Sequence, residues 1–169
     1  MIGLTMTLIR AATEADIPAI LAIYNDAVIN TAAIWNDDVV DLDNRLAWFA
    51  ARQGQGYPVL VAVEGDSVLG YASYGDFRAF QGYRFTVENS IYVASDARGK
   101  GAGTALLGAL VGHAAGNGKH VMVAGIEAGN EVSIRLHARH GFVETARMPG
   151  LGFKFGRYLD LVFMQKTLD

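Results

Sequence analysis

The chain has 169 residues, 51% of them hydrophobic, enough for one domain with a proper core, and residues 1–169 are read as a single unit. Its net charge of -3 provides no long-range positive field for a nucleic-acid backbone. The absence of cysteine excludes a disulfide framework, a Cys-ligated metal and a thioester on the protein itself, and no metal is expected.

Taken in chain order, Met1–Ile9 is apolar but short and is followed, not preceded, by Arg10, the wrong order for a secretory leader. No apolar run approaches the roughly 20 residues that cross a bilayer, so a cytoplasmic protein without membrane or nucleic-acid partners is expected. Thr5–Ala11 reads as a strand. Thr13 with an acid three positions on, Asp16, has the spacing of a capping box, and Ile17, Ile20, Leu21, Tyr24 and Val28 then recur at helical period until about Thr31. A second helix is predicted over Leu42–Gln53, stopped by Gly54 and Gly56. Pro58–Val63 and Val68–Tyr74 flank the turn signal Glu64-Gly65-Asp66-Ser67 and predict a hairpin.

After the aromatic and arginine-bearing connection Phe77–Phe85, Thr86–Val93 reads as a strand and Thr104–Ala115 as a helix. His120–Ile126 is apolar throughout nearly its whole length, as a strand buried on both faces would be. Glu131–His140 predicts a short helix, and Phe142–Arg147 and Tyr158–Lys166 two closing strands. The order β-α-α-β-β-β-α-β-α-β-β is a mixed α/β (α+β) layout.

Between the third of these helices and the strand before it stands Arg98-Gly99-Lys100-Gly101-Ala102-Gly103-Thr104. A strand, a glycine turn and a helix start aim backbone N–H groups and the helix dipole at an anion. Spacing disfavours two nucleotide loops. A Walker A loop needs Gly-Lys followed by Ser or Thr, whereas Lys100 precedes Gly101; the dinucleotide fingerprint fails because Thr104 or Leu106 occupies its last glycine position. A loop without a ligand is the plain alternative.

The spacing that remains is Arg98-x-x-Gly101-x-Gly103, preceded by Ile91-Tyr92-Val93 and followed by Asn130-x-x-Ser133-x-x-Leu136-His137-x-x-x-Gly141-Phe142. With these motifs the chain resembles the GNAT N-acetyltransferases over essentially its whole length. The stretches Thr86–Val93, Arg135–His137 and Phe153–Asp160 look like the phosphinothricin and methionine sulfoximine/sulfone acetyltransferase branch, and Tyr71–Arg78 and Thr31–Trp35 look like its methionine sulfoximine side.

The resemblance implies a mostly antiparallel central sheet with two splayed parallel strands and helices on both faces. It also implies acetyl-CoA as co-substrate, a homodimer, and direct transfer to a small amino-acid amine with no acyl-enzyme. Acetyl-CoA is expected to lie on Ile91, Tyr92, Val93, Arg98, Gly99, Lys100, Gly101, Ala102, Gly103, Thr104, Asn130 and Ser133, with the Val93 N–H as a candidate oxyanion donor. Asn130 also reads plainly as a helix N-cap.

Acyl transfer to an ammonium needs a base, and Glu88 is the candidate; the plain reading is a strand-edge carboxylate or a partner of Arg78 or Arg84. His137 stands where many family members carry a thiolate-protonating tyrosine, and reads equally as a hydrogen-bonded structural histidine. For an amino-acid carboxylate and a polar head group the candidates are Arg78 with Phe80 as a wall, then Asn89 and Ser90, with Arg84 or Lys154 as alternatives, Lys154 from a late loop across a subunit boundary. Trp35 and Phe153 are expected as core or lid. A peptide N-terminal acetyltransferase and a non-catalytic acyl-CoA sensor are the competing functions.

Overall fold

The first helix starts as the Thr13–Asp16 spacing predicts. The Thr13 N–H donates to Asp16 Oδ2 at 2.8 Å, and Arg10 grips the same carboxylate at 2.7 and 2.9 Å. A single 3-10 turn, Glu14–Asp16, leads into α1 (Ile17–Asn30), which buries Ile17, Ile20, Ile23, Ala27 and Val28. In α2 (Leu42–Gly54) the Asp41 side chain caps the start by accepting from the Asn44 N–H. The computed structural model describes residues 6–168, so Thr5 of the first predicted strand lies outside the described residues and β1 is Leu8–Ala11.

The hairpin is β2 (Val59–Glu64) and β3 (Ser67–Asp76), closed by a two-residue turn whose Gly65 has φ +59°. Next come β4 (Thr86–Val93), α3 (Ala102–Gly116), β5 (Val121–Glu127) and α4 (Glu131–Arg139), then β6 (Val143–Lys154) and β7 (Arg157–Thr167). The sheet order is β1-β2-β3-β4-β5-β7-β6, antiparallel except between β4 and β5. Leu106, Leu107 and Leu110 of α3 pack on one face with Val87 and Met122, while Ile17, Ile20 and Phe49 from α1 and α2 pack on the other with Val61 and Tyr71. The expected α+β arrangement, with helices on both faces, is the one observed.

One boundary differs substantially. The sequence predicts a strand ending at Arg147, but β6 runs on to Lys154 and meets β7 through the two-residue turn Phe155-Gly156, with φ +52° and +73°. Pro149, Gly150 and Gly152 disguise the second half of β6 because they break strand periodicity. The structure absorbs them in a bulge between Met148 and Gly152, where the Gly150 N–H donates to Asp160 Oδ1 at 2.7 Å.

The feature that positions the site is a parting of strands. β4 and β5 pair only over Thr86–Glu88 against Val121–Val123. Beyond that point β4 stays with β3 as far as Val93, and β5 stays with β7 as far as Glu127. Backbone edges that would have paired across β4 and β5 are left for another extended partner.

Candidate active site

The glycine turn sits at one end of this gap. Gly99 and Gly101 have φ +78° and +85°, and a Cβ on either would meet nothing within 4 Å. Glycine is required there by the left-handed backbone rather than by crowding, and Gly101 is the N-cap of α3. Gly103, in the first turn of α3, has Leu136 Cδ2 and Val93 Cγ2 at 3.4 and 3.7 Å from the position of a Cβ, an ordinary contact distance. A groove of about 820 Å³ runs from this turn along β4 to Asn130 and Ser133, and every predicted cofactor residue except Lys100 lines it. Asn130 is the expected N-cap of α4, its Oδ1 accepting from the Ser133 N–H at 3.2 Å.

A second cavity, of about 320 Å³, opens from the same gap and shares Ala33, Ile91, Tyr92, Glu127, Asn130 and Ser133 with the groove. Glu88, Asn89 and Ser90 of β4 line it, as do Ala124–Glu127 of β5, His137 and the segment Ala33–Asn36. The two spaces therefore meet along Ile91 and Tyr92, beyond the point where β4 leaves β5, with Glu88 on the side of the smaller one.

Glu88 is half-buried at the last position of β4 that pairs with β5, and burial raises its carboxyl above the ordinary carboxylate value. The ion pairs among the described residues are Arg10–Asp16, Arg135–Glu131 and Arg147–Glu144, so Glu88 is not held by Arg78 or Arg84. Its Oε1 lies over Gly125, where a Cβ would come within 2.9 Å. Asn89 faces the opposite side of the sheet. Its Oδ1 stands 3.3 Å from His137 Nε2, and His137 Nδ1 stands 2.8 Å from the Ser133 carbonyl. His137 is buried, meets the Phe142 ring edge-on, and has its pKa lowered mainly by that burial.

Three predicted substrate residues are not brought into the cavity lining. Lys154 is the clearest correction. It is the last residue of β6 rather than part of a loop, it is 1% exposed, and its ammonium donates to the carbonyls of Val28, Thr31 and Ile34 at 2.6, 2.8 and 2.6 Å. With its donors spent on the backbone, it clamps the end of α1 and the segment that leads to Ala33–Asn36. Arg78 and Phe80 lie beyond the end of β3, exposed, with the Arg78 guanidinium over the Phe77 ring. Phe77 itself packs edge-on against Phe163, the β7 residue opposite Gly125, so this connection is anchored at the Glu88 end of the cavity.

Other contributors were not legible as site residues. Trp35 lines the cavity, bonds the Ala32 carbonyl through Nε1 at 2.9 Å and lies flat over Gly152, whose missing side chain makes room for the ring. Phe153 is not part of the core, being 58% exposed beside Tyr158 on edge strand β6, and it lines neither cavity. Glu127 and Gly125 lack any motif that would mark them. Among the described residues no helix is long and apolar enough to cross a membrane.

A parted parallel strand pair, a glycine turn capping the following helix and a carboxylate at the parting define a site for acyl transfer from a long thioester. Residues 18–142 match the acetyltransferase (GNAT) family model, and the chain belongs to that family of N-acetyltransferases. An L-methionine sulfoximine/L-methionine sulfone acetyltransferase of Pseudomonas paraeruginosa is 62% identical over 162 residues, covering 95% of this chain and 94% of the relative. A phosphinothricin N-acetyltransferase of Alcaligenes faecalis is more distant, 38% identical over 95% of this chain and 82% of its own length. Among solved structures, an acetyltransferase of Salmonella typhimurium with its cofactor acetyl-CoA superposes with TM-score 0.95 at 60% identity, covering 96% of this chain and 94% of that one.

Proposed function

We propose that this chain transfers the acetyl group of acetyl-CoA to the α-amine of L-methionine sulfoximine or L-methionine sulfone, by direct attack without an acyl-enzyme. The observation that carries the reading is the Glu88 carboxylate, without an ion-pair partner among the described residues and half-buried in the smaller cavity that adjoins the long groove. Similarity to the Pseudomonas paraeruginosa enzyme supports these acceptors ahead of phosphinothricin.

Acetyl-CoA supplies an activated thioester carbonyl to the amine nitrogen. In this reading the turn Arg98–Thr104, Lys100 included, receives the pyrophosphate, with Arg98 and Lys100 adding positive charge to the N-terminus of α3. The free edge of Ile91–Val93 takes the amide-bearing arm as a strand would, Asn130 and Ser133 flank it, and the Val93 N–H receives the oxyanion. Glu88 accepts the ammonium proton directly or through one water, leaving the amine lone pair free to attack. Its pKa, raised by burial, makes it a stronger base than an exposed carboxylate.

The substrate carboxylate is assigned to Arg78, with Phe80 as a wall, on the connection that Phe77 anchors beside the cavity; Asn89 and Ser90 border the head group. No carboxylate among the described residues pairs with Arg78, so its fork is available for a bidentate grip. The reading includes a homodimer in the cytoplasm, the first part of which a solution mass measurement tests.

A thiol-release assay with acetyl-CoA and a panel of amines tests the function. Methionine sulfoximine and sulfone should be the best acceptors. Turnover on peptides alone would replace the reading with a peptide acetyltransferase, and binding without turnover on any amine would replace it with an acyl-CoA sensor.

A further inference from the structure

His137 is the second titratable group at the parting of the strands, and its two ring nitrogens face unlike surroundings. Nδ1 stands 2.8 Å from the Ser133 backbone carbonyl and 3.4 Å from the Ser133 hydroxyl. A carbonyl only accepts, so the shorter contact requires a proton on Nδ1. Nε2 stands 3.3 Å from the Asn89 amide, with Oδ1 as the nearer atom and Nδ2 left buried without a partner. Taken at face value, that orientation needs protons on both nitrogens, hence an imidazolium in a buried setting, and it orphans an N–H donor as well.

Both faults vanish if the Asn89 amide is turned over, an exchange of O and N that leaves its shape unchanged. Nδ2 then donates to Nε2, and the atom left without a partner is a carbonyl oxygen, the less costly orphan. We infer that His137 is a neutral Nδ1–H imidazole whose Nε2 lone pair is taken by Asn89, and that it acts as a strut between α4 and β4 rather than as a proton donor to the departing thiolate. Burial, which lowers the His137 pKa, agrees with the neutral form, and the nearby His140, whose charge would act in the same direction, is itself set between the Leu136 and Thr104 carbonyls.

The position of the strut explains its use. Asn89 is the first residue of β4 beyond the parallel pairing with β5, and α4 follows β5 in the chain. The His137–Asn89 link therefore spans the gap at its apex, fixing how far the strands part and so the width of the groove along Ile91–Val93. In this role His137 is a positioning residue, and the thiolate takes its proton from solvent or from the amine through water. The inference rests on the acetyl-transfer reading only for its kinetic consequence.

Long-range nitrogen NMR on the full chain labelled at histidine tests the tautomer without any variant and without turnover. It should report a protonated Nδ1 and an unprotonated Nε2 for His137, unchanged across neutral pH. A protonated Nε2 would overturn the inference even if the enzyme proved active on methionine sulfone, whereas inactivity on every amine would leave the tautomer result standing. Kinetically, His137→Gln and Asn89→Leu should each raise the KM for acetyl-CoA several-fold while keeping the alkaline limb of the kcat profile. Loss of that limb in His137→Gln, with KM unchanged, would mark His137 as the proton donor and contradict the strut.

Discussion

The Glu88 carboxylate lies over the backbone of Gly125, so close that a Cβ at position 125 would stand 2.9 Å from Oε1. The two residues belong to β4 and β5 near the point where these strands part, and the missing side chain on one is the space occupied by the functional group of the other. Gly125 has no left-handed φ to explain it. Its missing side chain leaves room for the carboxylate beside the smaller cavity.

A Gly125→Ala substitution must push Glu88 aside, because the opposing neighbours of the new methyl are the Phe163 and Leu161 side chains at 3.6 and 3.7 Å. The expected outcome is a fall in kcat of about 10- to 100-fold, part of what a positioned general base contributes, with the KM for acetyl-CoA little changed. Steady-state kinetics on the variant check it; a wild-type kcat would show that the carboxylate position does not matter.

Stability should move the opposite way from activity at Glu88. Burial raises its folded-state pKa above the ordinary 4.5. Its contribution to stability is therefore fully present below that ordinary value and is lost as pH rises through the raised one. Glu88→Gln removes the buried charge, so the variant should unfold at a higher temperature than wild type at neutral pH, and the gain should shrink in acid below about pH 4. Thermal unfolding at both pH values reads this, and a variant less stable at neutral pH would show that Glu88 has favourable partners the structure does not contain.

Lys154 predicts a third effect. Lys154→Met keeps much of the stem but strips the donor from the carbonyls of Val28, Thr31 and Ile34. We expect a loss of roughly 2–4 kcal/mol in denaturant unfolding, together with a raised KM for the amine as Ala33–Asn36 loosens. An unchanged amine KM would separate the clamp from the cavity it borders.

These positions divide according to what a linear sequence displays. The capping box Thr13–Asp16, the β2–β3 hairpin, the turn Arg98–Thr104 and the Asn130 cap are local patterns, each complete within a few residues, and the structure contains all of them. Lys154 and its carbonyls are separated by 120 to 126 residues, and Glu88 and Gly125 meet only because β4 and β5 are parallel neighbours. No spacing rule marks such pairs. The end of β6 was hidden for another reason, since Pro149, Gly150 and Gly152 are loop residues by propensity and become a strand only through pairing with β7.

Arg78→Ala should raise the KM for methionine sulfone about tenfold, as loss of a charge-assisted hydrogen bond does, and leave the KM for acetyl-CoA alone. Equal KM values for the amino acid in wild type and variant would transfer the carboxylate to another group.

As the proposed base for acetyl transfer to a small amino-acid amine, Glu88 should govern the pH dependence of the reaction. The most direct measurement is the pH profile of acetyl-CoA consumption with methionine sulfone, wild type against Glu88→Gln. The variant should lose about 10²- to 10⁴-fold at neutral pH and recover toward wild type as pH approaches the pKa of the amine, where the base is no longer needed. Superimposable profiles would show that Glu88 is not the base.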